Sequence, residues 1–399
     1  MEITLKRKCT GCSACYVSCP KKCISMSEDA EGFKVPTIDA SECIECGVCK
    51  KICPQNLNTI HLKKPIRVWA ARYKNDDLLL KSSSGGIFAG LAEHVLNKLK
   101  GVVFGCAFDD NLVARHVYIT EFKDVEQLQS SKYVQSDIGG VYREVFAFLR
   151  SERYVLFTGT PCQVAGLYAY LKRDYDKLLT ADLVCHGVPS PLLYKRYLLW
   201  LGKKHGGKIK YYDFRSKEKI GWGMGYKIIV KTKTKTKTKH PSSATDPYYT
   251  AFLRNKGLRE CCYQCNYSCG ERIGDFTLGD YWGIENAHPE FFDKRGVSVV
   301  LANTLKGEHC FQSIVNKFDV LESTLENAKK KISKLNFPAS RPKERDKIYK
   351  NIQDFDNKIF NDSVYRVSVK RRIKVKVMSL IPVSLRWKFK MRKIQKSTK

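Results

Sequence analysis

The cysteine spacing near the amino terminus constrains this chain more than any other feature. Residues 9–20 place four cysteines and a proline as C-x2-C-x2-C-x3-C-P, and residues 43–54 repeat that spacing. This is the run of bacterial ferredoxins, in which the fourth cysteine of each run completes the other cluster. It predicts two [4Fe–4S] clusters, the first held by Cys9, Cys12, Cys15 and Cys53 and the second by Cys43, Cys46, Cys49 and Cys19.

Two structural zinc sites are the alternative use of these cysteines. Zinc also takes four ligands, but it requires neither the internal repeat nor Pro20 and Pro54 after the fourth cysteines. The pattern therefore favours clusters, and Cys23, outside the run, is expected to take no part. Such clusters carry single electrons and show no open position for a substrate, so another part of the chain must use the electrons.

Composition sets the bounds for the rest of the chain. The 399 residues suffice for two or three domains, and 71 Lys and Arg against 40 Asp and Glu give a net charge of +31. Nucleic acid, anionic lipid and acidic redox proteins would all be attracted. Without an apolar leader or a run of 18 apolar residues, we expect a cytoplasmic protein with no membrane span. There, 17 cysteines favour metal binding over disulfides.

After the ferredoxin region, strand-like runs alternate with helical ones. Strands are predicted at residues 65–73, 102–108, 154–158 and 178–184, and helices at 87–99, 162–171 and 191–201. Alternation of this kind is typical of an α/β domain, whose ligands bind at the carboxyl ends of the strands. The fold class is therefore α+β, a small ferredoxin-like domain followed by a larger α/β domain.

Several turns of the α/β region carry residue types suited to binding or reaction. Residues 82–86 read SSSGG before a helix, where hydroxyls and amides can hold a cofactor phosphate, although a serine-rich helix cap looks the same. Cys162 and Cys185 each follow a strand. Because a helix amino terminus lowers a thiol pKa, Cys162 is expected to be a thiolate, as metal ligand or nucleophile. A buried, inert cysteine is the alternative for each.

Four further cysteines lie close together near residue 265: Cys261, Cys262, Cys265 and Cys269. Zinc or another iron–sulfur cluster would suit this density, and the C-x2-C pair alone does not choose between them.

Two basic segments complete the pattern. Residues 231–239 alternate Lys and Thr, so as a strand they would present the lysines on one face, as a charge-protected hairpin edge does; low-complexity drift is the alternative. Residues 363–399 contain thirteen Lys or Arg and no acid. Interleaved apolar residues make this segment typical of one that binds a membrane surface: Val375, Val377, Leu380, Ile381, Leu385, Trp387 and Phe389. Nucleic acid is less favoured, because its usual recognition motifs are absent.

Over about residues 1–305 the chain resembles the beta subunit of coenzyme F420-reducing hydrogenase and dehydrogenase, preceded by its ferredoxin domain. The resemblance lies in SSSGGIF (82–88), SKYVQS (131–136), LFTGTPCQVAGL (156–167), DLVCHGVPSP (182–191) and RIGDFTLGDYWG (272–283). Members bind a flavin, usually FAD, and at least one [4Fe–4S] cluster, and exchange a hydride with a deazaflavin or another organic substrate. The resemblance implies the same parts here, with FAD or FMN joining hydride chemistry to the single-electron clusters.

The resemblance also implies roles for particular residues. The flavin phosphates would meet Ser83, Ser84, Gly85 and Gly86, and Thr160, Gln163 and His186 would lie near the flavin or substrate. His186 is the candidate catalytic residue for proton transfer, with a structural hydrogen bond as the alternative. A third [4Fe–4S] cluster would be held by Cys162, Cys185, Cys262 and Cys265. Because Cys261 and Cys269 stand where the family has other residues, a more local ligand set stays open.

These inferences divide the chain into a ferredoxin domain (1–62), a flavin and iron–sulfur domain (63–340) and a basic tail (341–399). The function expected is an iron–sulfur flavoprotein oxidoreductase whose partner is a redox protein or a small-molecule substrate. The tail would contact anionic lipid at the inner face of the cell membrane. Many bacterial relatives look like accessory proteins of cell-surface polysaccharide synthesis, which suits that location. The alternative is a non-catalytic iron–sulfur scaffold or sensor that the tail recruits to membrane or nucleic acid.

Overall fold

The computed structural model describes residues 2–56, 61–350 and 367–381 and the single positions 352, 360, 365 and 385. The strands in these residues are β1 (Ile24–Glu28), β2 (Lys34–Ile38), β3 (Arg67–Tyr73), β4 (Val102–Phe108), β5 (Ala114–Ile119), β6 (Val155–Gly159), β7 (Leu178–Leu183), β8 (Lys208–Asp213), β9 (Lys227–Lys231), β10 (Thr236–Lys239), β11 (Phe276–Asp280), β12 (Ser298–Ala302) and β13 (Phe318–Ser323). The α-helices are α1 (Ala14–Ser18), α2 (Val48–Lys51), α3 (Asp76–Lys81), α4 (Ile87–Glu93), α5 (Val125–Leu128), α6 (Val141–Arg150), α7 (Pro161–Leu171), α8 (Pro191–His205), α9 (Pro247–Leu253), α10 (Ile284–Ala287), α11 (Leu305–Ser313), α12 (Leu325–Lys329), α13 (Arg345–Lys350) and α14 (Val369–Leu380).

The two cysteine runs fold alike, as their repeated spacing suggests. Each enters a short helix, α1 or α2, and the antiparallel β1–β2 hairpin packs beside them. Gly11 (φ +67°) and Glu45 (φ +52°) occupy the same place in the two runs and share the left-handed backbone conformation. Ser13 (φ +64°) and Gly47 (φ +70°) do so as well. These paired turns wrap each run around its own centre.

The larger domain is built on an eight-stranded sheet in the order β13-β3-β12-β11-β7-β6-β4-β5. The neighbours β11, β7, β6 and β4 are parallel, and the strands outside them pair antiparallel. Parallel strands need crossover connections, and helix α7 supplies the one from β6 to β7. The chain is thus an α+β protein, with a ferredoxin-like domain and a larger α/β domain, as the sequence predicts.

Apolar layers cover both faces of this sheet. Along β6, Leu156 enters one buried cluster with α4, and its neighbours Val155 and Phe157 enter a second cluster with α6 and α7. Burial on both faces explains why the parallel strands read as continuous apolar runs. The arrangement leaves the carboxyl ends of β6, β7 and β11 open on one side, where ligands bind in sheets of this kind.

The Lys–Thr run forms the exposed hairpin edge that its alternation suggested, but it does not form one strand with all its lysines on one face. It ends β9, turns through Thr232, whose N–H donates to the Lys235 carbonyl, and returns as β10. Lys231 pairs with Thr236 while Lys237 pairs with Val230, which places the two lysines on opposite faces. β10 is the edge of the three-stranded sheet β10-β9-β8.

The first residues of the expected basic tail pack into the body of the protein. Ile348 and Tyr349 of α13 are buried in the same apolar cluster as Leu193 and Tyr197 of α8. α14 contacts the Ser243–Thr245 turn that follows β10. Trp387 and Phe389 lie outside the described residues, and the limits of the three domains stay a prediction. Among the described residues, no helix has the length and apolarity to cross a membrane.

Candidate iron–sulfur and cofactor site

The eight ferredoxin cysteines divide between two cavities. One is lined by Cys9, Cys12, Cys15 and Cys53, and the other by Cys19, Cys43, Cys46 and Cys49. The fourth cysteine of each run has crossed to the other set, so each cavity presents the four thiols that one cubane needs. The first set is buried, whereas Cys46 of the second set is exposed. This grouping matches the expected ligand sets, and the individual ligands stay a prediction.

The thiols of the buried set are held in the protonated form when no metal is bound. Burial raises the pKa of Cys12 to about 11, because a thiolate without a partner is poorly solvated there. Coordination to iron removes that proton. Cys23, which we expected to stand apart, lines the second cavity with its Sγ 3.4 Å from the Cys19 Sγ. Among the described residues, no three His, Cys, Asp or Glu side chains are grouped as ligands of a single metal ion.

A larger cavity of about 410 Å³ lies at the carboxyl ends of β6, β7 and β11. This volume is in the range of small-molecule and cofactor sites. Of the residues expected to contact a flavin, a substrate or a third cluster, it is lined by Ser83, Ser84, Gly86, Thr160, Gln163, Cys162, Cys185, His186 and Cys262. Residues far apart in the sequence therefore meet on one wall, and the site has the size and the polar groups that a nucleotide cofactor requires.

The 82–86 loop is tightly packed at the edge of this cavity. A Cβ on Gly85 would lie 2.3 Å from the Ala71 carbonyl oxygen, so only glycine fits there. Its N–H donates to the Ser298 hydroxyl (2.8 Å), and the Ser84 hydroxyl donates to the Val297 carbonyl (2.9 Å). Gly85 is not on the cavity wall, whereas Ser83, Ser84 and Gly86 are. Contact of these four residues with a phosphate stays a prediction.

Two buried cations fix the carbonyls of the same loop. Arg215 donates to the Ser83 carbonyl (3.0 Å) and forms a buried ion pair with Asp280 (2.7 Å). Lys217 donates to the Ser84 carbonyl at 2.6 Å. Burial lowers the pKa of Lys217 to about 7. Neither cation was expected from the sequence, because each reaches the loop from more than 130 positions away.

Thr160 and Gln163 form a capping box at the start of α7. The Gln163 Oε1 accepts from the Thr160 N–H (2.9 Å) and the Gln163 Nε2 donates to the Ser136 hydroxyl (2.9 Å). Ser136 in turn contacts the His116 Nδ1 at 3.0 Å. Burial lowers the pKa of His116 to about 4, so this chain of polar groups is neutral. His116 was missed because it lies on β5, outside every motif singled out in the sequence.

His186 lines the cavity, and its ring is held by the backbone. Its Nε2 lies 3.2 Å from the Phe252 carbonyl oxygen, so the neutral ring donates there. Burial, reinforced by the nearby Lys334 ammonium, lowers the pKa of His186 to about 4. The structural hydrogen bond is therefore present, and proton transfer by His186 stays a prediction.

Three of the four cysteines expected to hold a third cluster, Cys162, Cys185 and Cys262, line the cavity. Cys265 packs in the same apolar cluster as Cys162. Burial outweighs the helix terminus and raises the pKa of Cys162 well above the ordinary value, so the expected thiolate would form there only when a metal displaces its proton. A ligand role fits this environment better than a nucleophile.

The more local ligand set is less well placed. Cys261 lines the cavity, but Cys269 does not, and its thiol donates to the Glu271 carbonyl at 3.2 Å. Cys269 is therefore less well placed than Cys262 to be a ligand. Cys265 also lies off the cavity wall, and the ligand set stays a prediction.

Arg259 joins the ferredoxin domain to this cavity. Its guanidinium is buried and donates to the Cys9 carbonyl (2.7 Å), the Gln135 side chain (2.8 Å) and the Lys34 carbonyl (3.0 Å). Because it also lines the cavity, one side chain touches both regions. The sequence offered only a weak signal, a basic residue beside the cysteine-rich segment.

Comparison with known proteins identifies both regions. Residues 152–328 match the family of the carboxyl-terminal part of the coenzyme F420 hydrogenase/dehydrogenase beta subunit, and residues 8–57 match the 4Fe-4S dicluster domain. An uncharacterized ferredoxin of Methanocaldococcus jannaschii is 38% identical over 66 residues, 16% of this chain and 84% of that protein. A chain of the F420-reducing [NiFe] hydrogenase complex from Methanosarcina barkeri aligns over 70% of this chain and 92% of that chain, at 20% identity and a TM-score of 0.45. The chain therefore carries a domain of the coenzyme F420 hydrogenase/dehydrogenase beta-subunit carboxyl-terminal family and a 4Fe-4S dicluster ferredoxin domain.

Proposed function

We propose that this protein is an iron–sulfur oxidoreductase that uses bound FAD or FMN to exchange a hydride with a deazaflavin or another organic substrate. One observation carries the proposal: the 82–86 loop and the cysteines Cys162, Cys185 and Cys262 line the same cavity. A bound flavin would supply the conversion between hydride transfer and single-electron transfer.

The residues around the cavity have distinct tasks in this proposal. Ser83, Ser84 and Gly86 face the cofactor phosphates, Gly85 keeps the loop closely packed through its N–H to Ser298, and Arg215 and Lys217 fix the loop carbonyls. Thr160 and Gln163 present polar groups to the cofactor or substrate. Phe252 and Trp282 contribute apolar wall that excludes water. His186 lies at the cavity wall, where it would exchange a proton with the substrate.

The ligand sets are arranged from the surface to the cavity. The set with exposed Cys46 is where a redox partner protein reaches the chain. The buried set that includes Cys12 lies next in the proposed electron path. One apolar cluster contains Cys12, Cys162 and Cys265 together with Tyr142 and Tyr267. This order supports electron transfer between a partner at the surface and the substrate in the cavity.

Spectroscopy and iron analysis of the anaerobically purified protein test this proposal. We expect bound flavin and about twelve irons per chain, four for each of three clusters. Replacing Cys262 and Cys265 together by Ser should remove about four irons and leave the ferredoxin signals in place. A protein without flavin, which also takes up neither added FAD nor FMN, would overturn the enzymatic function. About eight irons with one zinc would overturn the third cluster alone.

We also propose that α14 and the residues after it contact anionic lipid. Val369, Ile373 and Val377 recur at helical spacing on α14 and are 71%, 58% and 54% exposed. The residues between them are largely basic and exposed, and no acid occurs after Asp362. An exposed apolar stripe with basic flanks is typical of interfacial helices. Work on cell-surface polysaccharide precursors at the inner face of the membrane would suit this placement.

A further inference from the structure

Lys334 is a buried cation on the wall of the large cavity. The residue is only 9% exposed, and it lines the cavity with Cys185 and Cys262. Among the residues that the structure describes, none accepts a hydrogen bond from its ammonium group. The side chain is buried while its ammonium nitrogen reaches the open cavity, so an anionic group bound in the cavity would supply its counter-charge.

The charges that reach Lys334 come from the cysteine set. Burial lowers the pKa of Lys334, and the neighbouring Cys185, Cys265 and Cys262 oppose that lowering when they are ionised, as they would be as metal ligands. Two other buried cations, Arg259 and Arg272, lie near the same cysteines, and both have partners of their own. Arg259 donates to the Cys9 carbonyl at 2.7 Å, and Arg272 forms an ion pair with Asp182 at 2.8 Å. Within the described part of the chain, Lys334 is therefore the buried cation of this site for which no protein counter-charge is present.

We propose that Lys334 is the counter-ion of the third [4Fe–4S] cluster and raises its reduction potential; this rests on the proposed ligand set Cys162, Cys185, Cys262 and Cys265. A cubane with four thiolate ligands is an anion, and reduction makes it more negative. A fixed cation in a water-poor site stabilises the reduced state more than the oxidised one. The potential of this cluster relative to the ferredoxin clusters decides which direction of electron flow is favourable.

The counter-ion comes from outside the matched family domain. That match ends at residue 328, whereas Lys334 lies in the turn after α12, which Ile332 and Leu335 anchor in a buried cluster. This segment therefore adds a charge to the site that the residues of the matched domain do not provide.

The test is a potentiometric titration of the anaerobic full-length protein, monitored by electron paramagnetic resonance. Lys334→Met should lower the midpoint potential of the third cluster and leave the two ferredoxin clusters unchanged. Lys334→Arg keeps the charge, so the midpoint potential of the third cluster should stay near that of the parent protein. Lys330→Met is the matched control, because Lys330 is an exposed lysine four positions away that donates to the Asn327 side chain at 2.9 Å. It should change no potential.

Each outcome has a definite meaning. An unchanged third potential in Lys334→Met, or an equal fall in Lys334→Arg, overturns the proposal. Loss of about four irons from Lys334→Met but not from Lys334→Arg supports it, whereas loss from both indicates a packing role and overturns it. A parent with about eight irons removes the third cluster and this proposal together. Absence of flavin from a parent with about twelve irons affects only the proposed enzymatic function.

Discussion

Gly166 shows how one residue sets the contact between the two iron–sulfur regions. It lies on α7, one turn after Cys162. A Cβ at this position would stand 2.9 Å from the Cys12 Cβ, 3.1 Å from the Cys12 Sγ and 2.8 Å from the Tyr142 hydroxyl. The ferredoxin domain can therefore approach α7 closely only because residue 166 has no side chain.

Gly166→Ala should weaken this contact. The added methyl overlaps Cys12 and Tyr142, and overpacking of this kind costs about 1–3 kcal/mol. We expect a lower thermal midpoint under anaerobic conditions and partial loss of iron from the Cys12 cluster. Gly140→Ala is the control, because a Cβ at Gly140 meets no atom within 4 Å. Equal midpoints and iron contents in the two variants would contradict this account of Gly166.

At the scale of elements, the sequence predicted those whose signals are local. Three of the four parallel strands, β4, β6 and β7, were predicted, because burial on both faces makes a strand a continuous apolar run; β11 was not predicted. For the Lys–Thr run the hairpin edge was predicted but the turn within the run was not, because strict alternation suits both one strand and a strand–turn–strand, and the pairing with β9 decides between them. Helix α13 was assigned to a basic tail because its fixing contact, from Arg345 to Glu31, spans 314 positions.

Through that contact α13 holds the ferredoxin domain against the larger domain. We therefore predict that removing the Arg345 guanidinium lowers the stability of the protein. Arg345 is 2% exposed, donates to both Glu31 carboxylate oxygens and to the Leu258 carbonyl, and pairs with Glu260 at 3.2 Å. Arg345→Met leaves these acceptors without their donor, and we expect a loss of about 2 kcal/mol, less than for a fully buried pair because Glu31 is partly exposed.

Arg341→Met is the matched control for Arg345→Met. Arg341 also pairs with Glu260 and Asp346, but its side chain is 36% exposed, so its removal should cost less than about 1 kcal/mol. Thermal unfolding and limited proteolysis at the junction between the domains measure both variants. Equal effects would show that Arg345 does not clamp the ferredoxin domain.

At the scale of the whole molecule, the candidate site was predictable in parts but not as an assembly. The grouping of the ferredoxin cysteines around two cavities was predictable from their spacing, because each run folds locally and its fourth cysteine lines the other cavity. The cavity combines strand ends, the 82–86 loop and residues 331–334, and their meeting depends on the order of strands in the sheet. Lys334 and Arg259 belong to no sequence motif. Their places beside the cysteine-bearing regions could therefore be recognised only in the structure.

The basic surface of the chain also bears on which kind of anionic partner it binds. The net charge of +31 includes the exposed lysines of the β9–β10 hairpin and the basic helix α14, which contacts the turn following that hairpin. An acidic protein would be attracted by the charge alone. The exposed stripe of Val369, Ile373 and Val377 adds an apolar surface that lipid can bury, and this favours a membrane over other anionic partners.

Flotation with vesicles tests this last prediction. The full chain should float with vesicles containing anionic phospholipid and much less with neutral ones, and binding should weaken with salt because each lysine or arginine contributes about 1 kcal/mol. Ile373→Glu should reduce flotation strongly, since it removes an apolar contact worth about 1.5–3 kcal/mol and adds a repelled charge. Leu305→Glu is the control, a 62% exposed leucine on α11, and should float like the parent. If a chain ending at Asp362 floats as well as the full chain, α14 does not bind the membrane, and a preference for duplex DNA over vesicles would assign the basic surface to nucleic acid instead.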